Sequence, residues 1–163
     1  MSINFARRVA QLALVAVVIA PAAHAQTATQ TVTFAVNAIN QIAFTGAPSL
    51  TITTAVAGSA PTSATDNSSV WAVTTNQTGA KITASIASAM PAGLTLSTNV
   101  ATPTGGSSLG YQALGTTAVD VVTGITKLAQ GSLGVTYKLD ATVAAGVVAS
   151  ATRIVTYTIT GGV

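Results

Sequence analysis

The chain has no cysteine, no glutamate and a single histidine, His24, and only 6% of its 163 residues are charged and 4% aromatic. Each shortage excludes something. Without cysteine there is no disulfide staple, no thiolate nucleophile and no lipid-bearing residue of a lipoprotein, so apolar burial must hold the fold together. So few charges leave no solvated faces for a bundle of amphipathic helices. Acidic side chains are confined to Asp66, Asp120 and Asp140, each alone in the sequence.

The N-terminus reads as an export signal that is then removed. Arg7 and Arg8 form a basic start, Leu12 to Ala20 is an unbroken apolar core, Pro21 ends it, and Ala23-His24-Ala25 is a small-x-small cleavage site before Gln26. The apolar run is shorter than the roughly 20 residues a spanning helix needs. Residues 1–25 are therefore expected to be a signal peptide and 26–163 a single domain that does not span the membrane. The destination is the periplasm, the cell surface or the extracellular space. Cleavage takes away the only histidine and two of the six basic residues. What is left is Lys81, Lys127, Lys138 and Arg153 against the three aspartates, four minus three, or +1. That balance carries no basic patch for nucleic acid.

What the chain has in quantity is threonine, 28 residues, spread among valine, isoleucine and alanine. This composition favours pleated strands. Apolar and polar residues alternate with period two along most of the chain. Val32, Phe34 and Val36 form one such comb; Leu50 and Ile52, Trp71 and Val73, Ile82 to Ile86, Leu94 and Leu96, and Val135 to Leu139 form others. The clearest is Val155, Tyr157 and Ile159 against Thr156, Thr158 and Thr160. Shorter strands are expected at 40–44, 111–114 and 118–126. Asn76-Gln77-Thr78-Gly79 reads as a hairpin loop, and the segments 58–69 and 99–110 read as long loops. About eight or nine short strands separated by turns predict an all-β, antiparallel sandwich or barrel.

Little chemistry can be assembled from these residues. After cleavage no Ser-His-Asp or Cys-His site is possible, nor a zinc site of the usual ligands, and paired carboxylates would need two isolated aspartates to converge. The reading is a non-enzymatic protein with no catalytic, metal or cofactor residues. Asp66-Asn67-Ser68-Ser69 is better read as a turn closed by the Asp66 side chain than as a calcium site. Asn67 and Asn76 both stand in N-x-Ser/Thr patterns. Trp71 and Tyr111, with Tyr137, are candidates for a sugar-stacking aromatic platform, although the phase of Trp71 and Tyr137 with aliphatic neighbours favours core packing.

The segments Thr29-Gln30-Thr31-Val32-Thr33-Phe34-Ala35-Val36 and Arg153-Ile154-Val155-Thr156-Tyr157-Thr158-Ile159-Thr160 resemble the N-terminal extension and the closing strand of chaperone–usher pilins and spore-coat-U-like secreted proteins. The resemblance covers about 20 residues. It implies an immunoglobulin-like sandwich completed by a strand from a neighbouring subunit, with Val32, Phe34 and Val36 as the donated residues. It also implies partners that are copies of the chain or other surface subunits, and a periplasmic chaperone. A fibre, pilus or coat subunit is the leading expectation. An extracellular module for carbohydrate or another surface ligand is the second, and a small outer-membrane barrel the third. The barrel is disfavoured by strands shorter than a membrane needs and by too few aromatics for two girdles. Secreted protein is expected to start at Gln26 by mass spectrometry; exported material retaining Met1 would contradict the leader.

Overall fold

The computed structural model describes residues 24–162, so nearly all of the expected signal peptide lies outside the described residues. The compact unit begins at Val36. Its strands are β1 (Asn40–Thr45), β2 (Ala64–Thr75), β3 (Ala80–Ile86), β4 (Leu94–Val100), β5 (Ser107–Ser108), β6 (Gln112–Ala113), β7 (Val119–Ile125), β8 (Leu128–Ala141) and β9 (Val155–Thr160). They form two antiparallel sheets, one ordered β1-β2-β8-β4-β6 and the other β5-β7-β3-β9. The all-β sandwich expected from alternation is what is seen: two sheets with their own edges rather than one closed sheet.

From β2 onward every connection passes from one sheet to the other. The Asn76–Gly79 turn is consequently an arch between sheets, not the expected hairpin, because β2 and β3 never pair. A local turn signature shows where the chain reverses, but not which sheet the next strand joins. The 58–69 segment is also corrected. Its second half, Ala64 to Ser69, is strand, paired with β8 from Ala64↔Leu139 onward and bulged between Asp66 and Ser69. Polar residues take strand geometry there because a neighbouring strand satisfies their backbone, which overrides weak propensity. Conversely, Leu50 and Ile52 alternate but form no strand, and neither do Val32, Phe34 and Val36. Alternation describes a residue pattern that a sheet would accept; it does not provide the partner strand.

The core lies between the sheets. Trp71, Val73, Ile82, Ile86, Val100, Val121, Val122, Ile125 and Val135 are at most 2% exposed. Val155, Tyr157 and Ile159 pack against this cluster while Thr156, Thr158 and Thr160 face solvent, so the phase read from β9 is the observed one. Leu139, expected to face inward, is only half-buried and outside this cluster; it lines a depression beyond the end of the core.

Each strand end is shaped locally. Where the chain leaves β1, Gly46 has φ +128°, and a β-carbon at that position would lie 2.7 Å from Ser69 Cα. Only glycine fits a backbone that close in that conformation. The consequence is that residues 46–54 peel away from the sheet instead of prolonging β1. Ile82→Ala should destabilise the fold by about 2–5 kcal/mol, as buried aliphatic truncations do. Thr158→Ala on the solvent face of β9 should change it by no more than about 0.5 kcal/mol. Urea melts giving the opposite order would place β9 and β3 one residue out of register.

Candidate functional site: a one-sided edge strand and its groove

Strand β9 is hydrogen-bonded to one strand among the described residues. It pairs with β3 from Lys81↔Thr160 to Ile86↔Val155, and among the described residues no strand pairs with its other side. The Ala87 N–H donates to the Ile154 carbonyl at 3.0 Å, which fixes the ladder phase. Residues 154, 156, 158 and 160 exchange hydrogen bonds with β3, so the N–H and C=O of Val155, Tyr157 and Ile159 point to the open side. No charged residue lies within β9 to guard that edge.

Tyr157 joins β9 to the opposite sheet. Its ring stacks on Phe44 of β1 with centroids 3.7 Å apart and planes 6° from parallel, and Phe44 in turn stacks on Trp71 at 5.8 Å. The Phe44–Trp71 contact follows from register, since the two residues are directly opposite in the β1–β2 ladder. The Tyr157 hydroxyl lies 2.9 Å from Thr98 Oγ1 on β4 and 2.9 Å from the Tyr137 hydroxyl on β8. Burial pushes the Tyr157 phenol far above its ordinary value of 10.0; the Thr98 bond opposes this and the neighbouring Tyr137 adds to it. Burial also raises Tyr137, opposed by its bond to Tyr157.

Beyond Thr45 and Val155 the two sheets part. Two adjoining depressions of about 600 and 410 Å³ share Leu50, Met90, Leu139, Ala151 and Arg153 and form one groove between the 46–55 and 147–155 segments. Its floor is Leu94, Leu96, Tyr137 and Leu139 from β4 and β8. The single charge along it, Arg153, is held at the rim by Nε and Nη2 donating to the Ala89 carbonyl at 3.2 and 3.1 Å and Nη1 donating to the Thr152 carbonyl at 2.8 Å. Sequence reading found the β9 residues but missed the groove. The only trace of it was an alternating pair, Leu50 and Ile52, with no partner strand to pair with.

The candidate donor residues are exposed: Val32 by 72%, Phe34 by 89% and Val36 by 80%. Residues 24–39 carry no regular secondary structure and all are exposed. Just past Val36 the chain is pinned. Asn76 Oδ1 accepts from the Ile39 N–H at 2.8 Å, its Nδ2 donates to the Asn37 carbonyl at 2.8 Å, and its backbone N–H donates to the Ile39 carbonyl at 3.2 Å. The Asn76 side chain, one of the two in a glycosylation pattern, is thus committed to backbone.

The aromatic platform is not assembled. Trp71 is 1% exposed and offers no ring face to a ligand, and its indole N–H has no acceptor among the described residues. Tyr111 is 45% exposed, with Lys138 Nζ 5.3 Å from its ring centre. Large flat rings are the most favourable groups to bury, and the Trp71 phase placed it inside. The aspartates are occupied separately. Asp66 accepts from Ser68 Oγ at 2.6 Å and from the Ser68 and Ser49 N–H groups at 2.9 and 3.0 Å, bonds made at the bulge inside β2 and not in the expected turn between strands. These bonds, the Ser68 hydroxyl foremost, hold its carboxyl below the usual range. Asp140 is lowered chiefly by the Ser63 hydroxyl and then by Lys138, 3.0 Å away. Asp120 pairs with Lys81 at 3.0 Å.

The chain matches no protein-family model, no curated protein and no solved structure.

The buried phenols predict alkaline sensitivity. A group held neutral in the fold but free to ionise at pH 10 when unfolded lends stability that is complete below pH 10 and is lost above it. Stability should therefore fall as pH rises past 10, and less steeply in Tyr157→Phe. That variant should also cost about 1–3 kcal/mol at neutral pH by leaving the Thr98 and Tyr137 hydroxyls short of a partner. Identical alkaline profiles for the two proteins would contradict the assignment.

Proposed function

We propose that this chain is an exported, non-enzymatic structural subunit of the bacterial cell surface, a fibre, pilus or coat component whose copies assemble by adding a β-strand from one to the next. In this reading residues 1–25 direct export, the sandwich is immunoglobulin-like in plan, and Val32, Phe34 and Val36 are the side chains of the added strand. The observation that carries it is the coexistence of an apolar comb left in solvent and a β9 edge with unpaired backbone. Solvent-exposed apolar residues spaced by two are costly to leave uncovered, and strand addition buries them while satisfying main-chain donors and acceptors. Two facing antiparallel sheets, with β1 and β2 paired in one sheet and the chain crossing from β2 to β3 and back to β4, support the immunoglobulin-like plan.

The low charge favours assembly over solubility as separate copies, because charged residues on edge strands are the usual means of preventing edge-to-edge pairing. Threonine on the outer faces supports the same reading: it keeps strands wettable without introducing like-charge repulsion between stacked copies. The test is deletion of residues 26–36, which leaves Asn37 and Ile39 on Asn76. Full-length protein should form concentration-dependent polymers visible by negative-stain microscopy, the deleted form should stay monomeric, and a peptide of residues 26–36 should bind and raise the melting temperature of the deleted form. Full-length protein that stays monomeric at high concentration, with no filaments on cells, would contradict strand addition.

A further inference from the structure

Arg153 is the one charged residue lining the groove, and among the described residues no carboxylate pairs with it. Asp120 is taken by Lys81, Asp140 by Lys138 and the Ser63 hydroxyl, and Asp66 by Ser49 and Ser68. A guanidinium carries five N–H donors. Three are occupied here by the Ala89 and Thr152 carbonyls, which leaves one donor on Nη1 and one on Nη2. One free donor on each Nη is what a guanidinium needs to hold a carboxylate through two parallel bonds. We infer that the groove binds a single-chain carboxylate amphiphile, with its head on Arg153 and its aliphatic tail in the larger depression.

The class of the tail follows from the lining. Leu50, Ile52, Met90, Leu94 and Leu139 give the larger depression an aliphatic and thioether surface, and no aromatic residue lines it. A sugar or a flat ring finds no aromatic face to stack on there. A flexible hydrocarbon chain needs none, and the unbranched Met90 side chain adapts to an irregular occupant. The volume of about 600 Å³ falls within the range of about 300–1,000 Å³ usual for small-ligand pockets, which pair apolar walls with a few polar groups. Val143 and Val148, in the same wall, are exposed. A bound chain would remove that apolar surface from water.

Charge selects the head. The segments that wall the groove, residues 46–55 and 141–152, contain no charged residue, so Arg153 alone sets the sign of the field along it. Apolar surroundings strengthen the attraction of that cation for an anion and its repulsion of a second cation. The inference does not rest on strand addition, because no residue of β9 lines the larger depression.

The probe is decanoate, kept below its micelle concentration and titrated into protein dilute enough to stay monomeric. Calorimetry should show saturable binding at a single site per chain. Amide shifts in an NMR titration should centre on Leu50, Leu94 and Ala151 and leave Ser107 on β5 unmoved. Decan-1-ol has the same tail without the charge, and decyltrimethylammonium has it with the opposite charge. Both should bind about tenfold or more weakly, the size of a lost charge-assisted hydrogen bond. Butanoate, a head with little tail, should not saturate. Arg153→Gln should bring decanoate down to the affinity of decan-1-ol while decan-1-ol binds as before, which would show the groove still formed. If decan-1-ol weakens as much as decanoate in that variant, Arg153 only supports the rim and the head assignment is overturned. Equal affinity of the unmodified protein for decanoate and decyltrimethylammonium, shifts centred away from the groove, or no saturable binding overturns the site itself.

Discussion

The stacking of Tyr157 on Phe44, with the Tyr157 hydroxyl bound to Thr98 and Tyr137, is the contact on which the rest of this fold depends. Among the described residues β9 pairs with β3 alone, and no backbone hydrogen bond attaches it to the facing sheet. Tyr157 makes that attachment. Its ring covers Phe44 on the outermost strand of the other sheet, and its hydroxyl reaches two further strands, β4 and β8. One side chain thus connects β9 to three strands of the five-stranded sheet. Where this contact ends, near Val155 and Thr45, the sheets separate and the groove begins. The groove is therefore a consequence of the fold's own geometry: one sheet is longer than the other, and Gly46 turns the chain away from the edge that a longer β1 would have covered.

The scarcity of charge acts with that geometry. A sandwich with exposed edges ordinarily guards them with lysine, proline or a bulge. Here β9 exposes threonine on its outer face and unpaired backbone along its edge, and the one cation nearby, Arg153, is turned to the carbonyls of Ala89 and Thr152. The ion pairs are elsewhere, Lys81 with Asp120 and Lys138 with Asp140, both partly exposed and each worth little to stability. Stability rests on the buried Ile, Val and Trp side chains, and the edge is left free to pair.

Much of this was legible in the sequence, because period-two alternation is a direct consequence of pleating. The phase of β3 and β9, the burial of Trp71 and Tyr137 and the two-layer all-β class all followed from it. Three features were not legible, each for a physical reason. The Asn76–Gly79 turn looked like a hairpin, since turn residues encode a local reversal while the destination of the next strand is set by tertiary packing. Ala64 to Ser69 looked like loop, since its polar residues gain strand geometry only from pairing with β8. The groove had no signature of its own, being defined by where Leu50 and Ile52 fail to join a sheet. Val32, Phe34 and Val36 are a second case: an alternating pattern that stays exposed and joins no sheet among the described residues.

The measurement that tests the central claim most directly is amide hydrogen exchange along β9, before and after assembly. In the monomer the outward N–H groups of Tyr157 and Ile159 should exchange quickly while those of Thr156 and Thr158, bonded to β3, are protected. In assembled protein Val155, at the groove, and the amides of residues 32–36 should become protected together. Protection of residues 32–36 already present in dilute monomer, or assembled protein in which the Val155 amide still exchanges freely, would contradict the account.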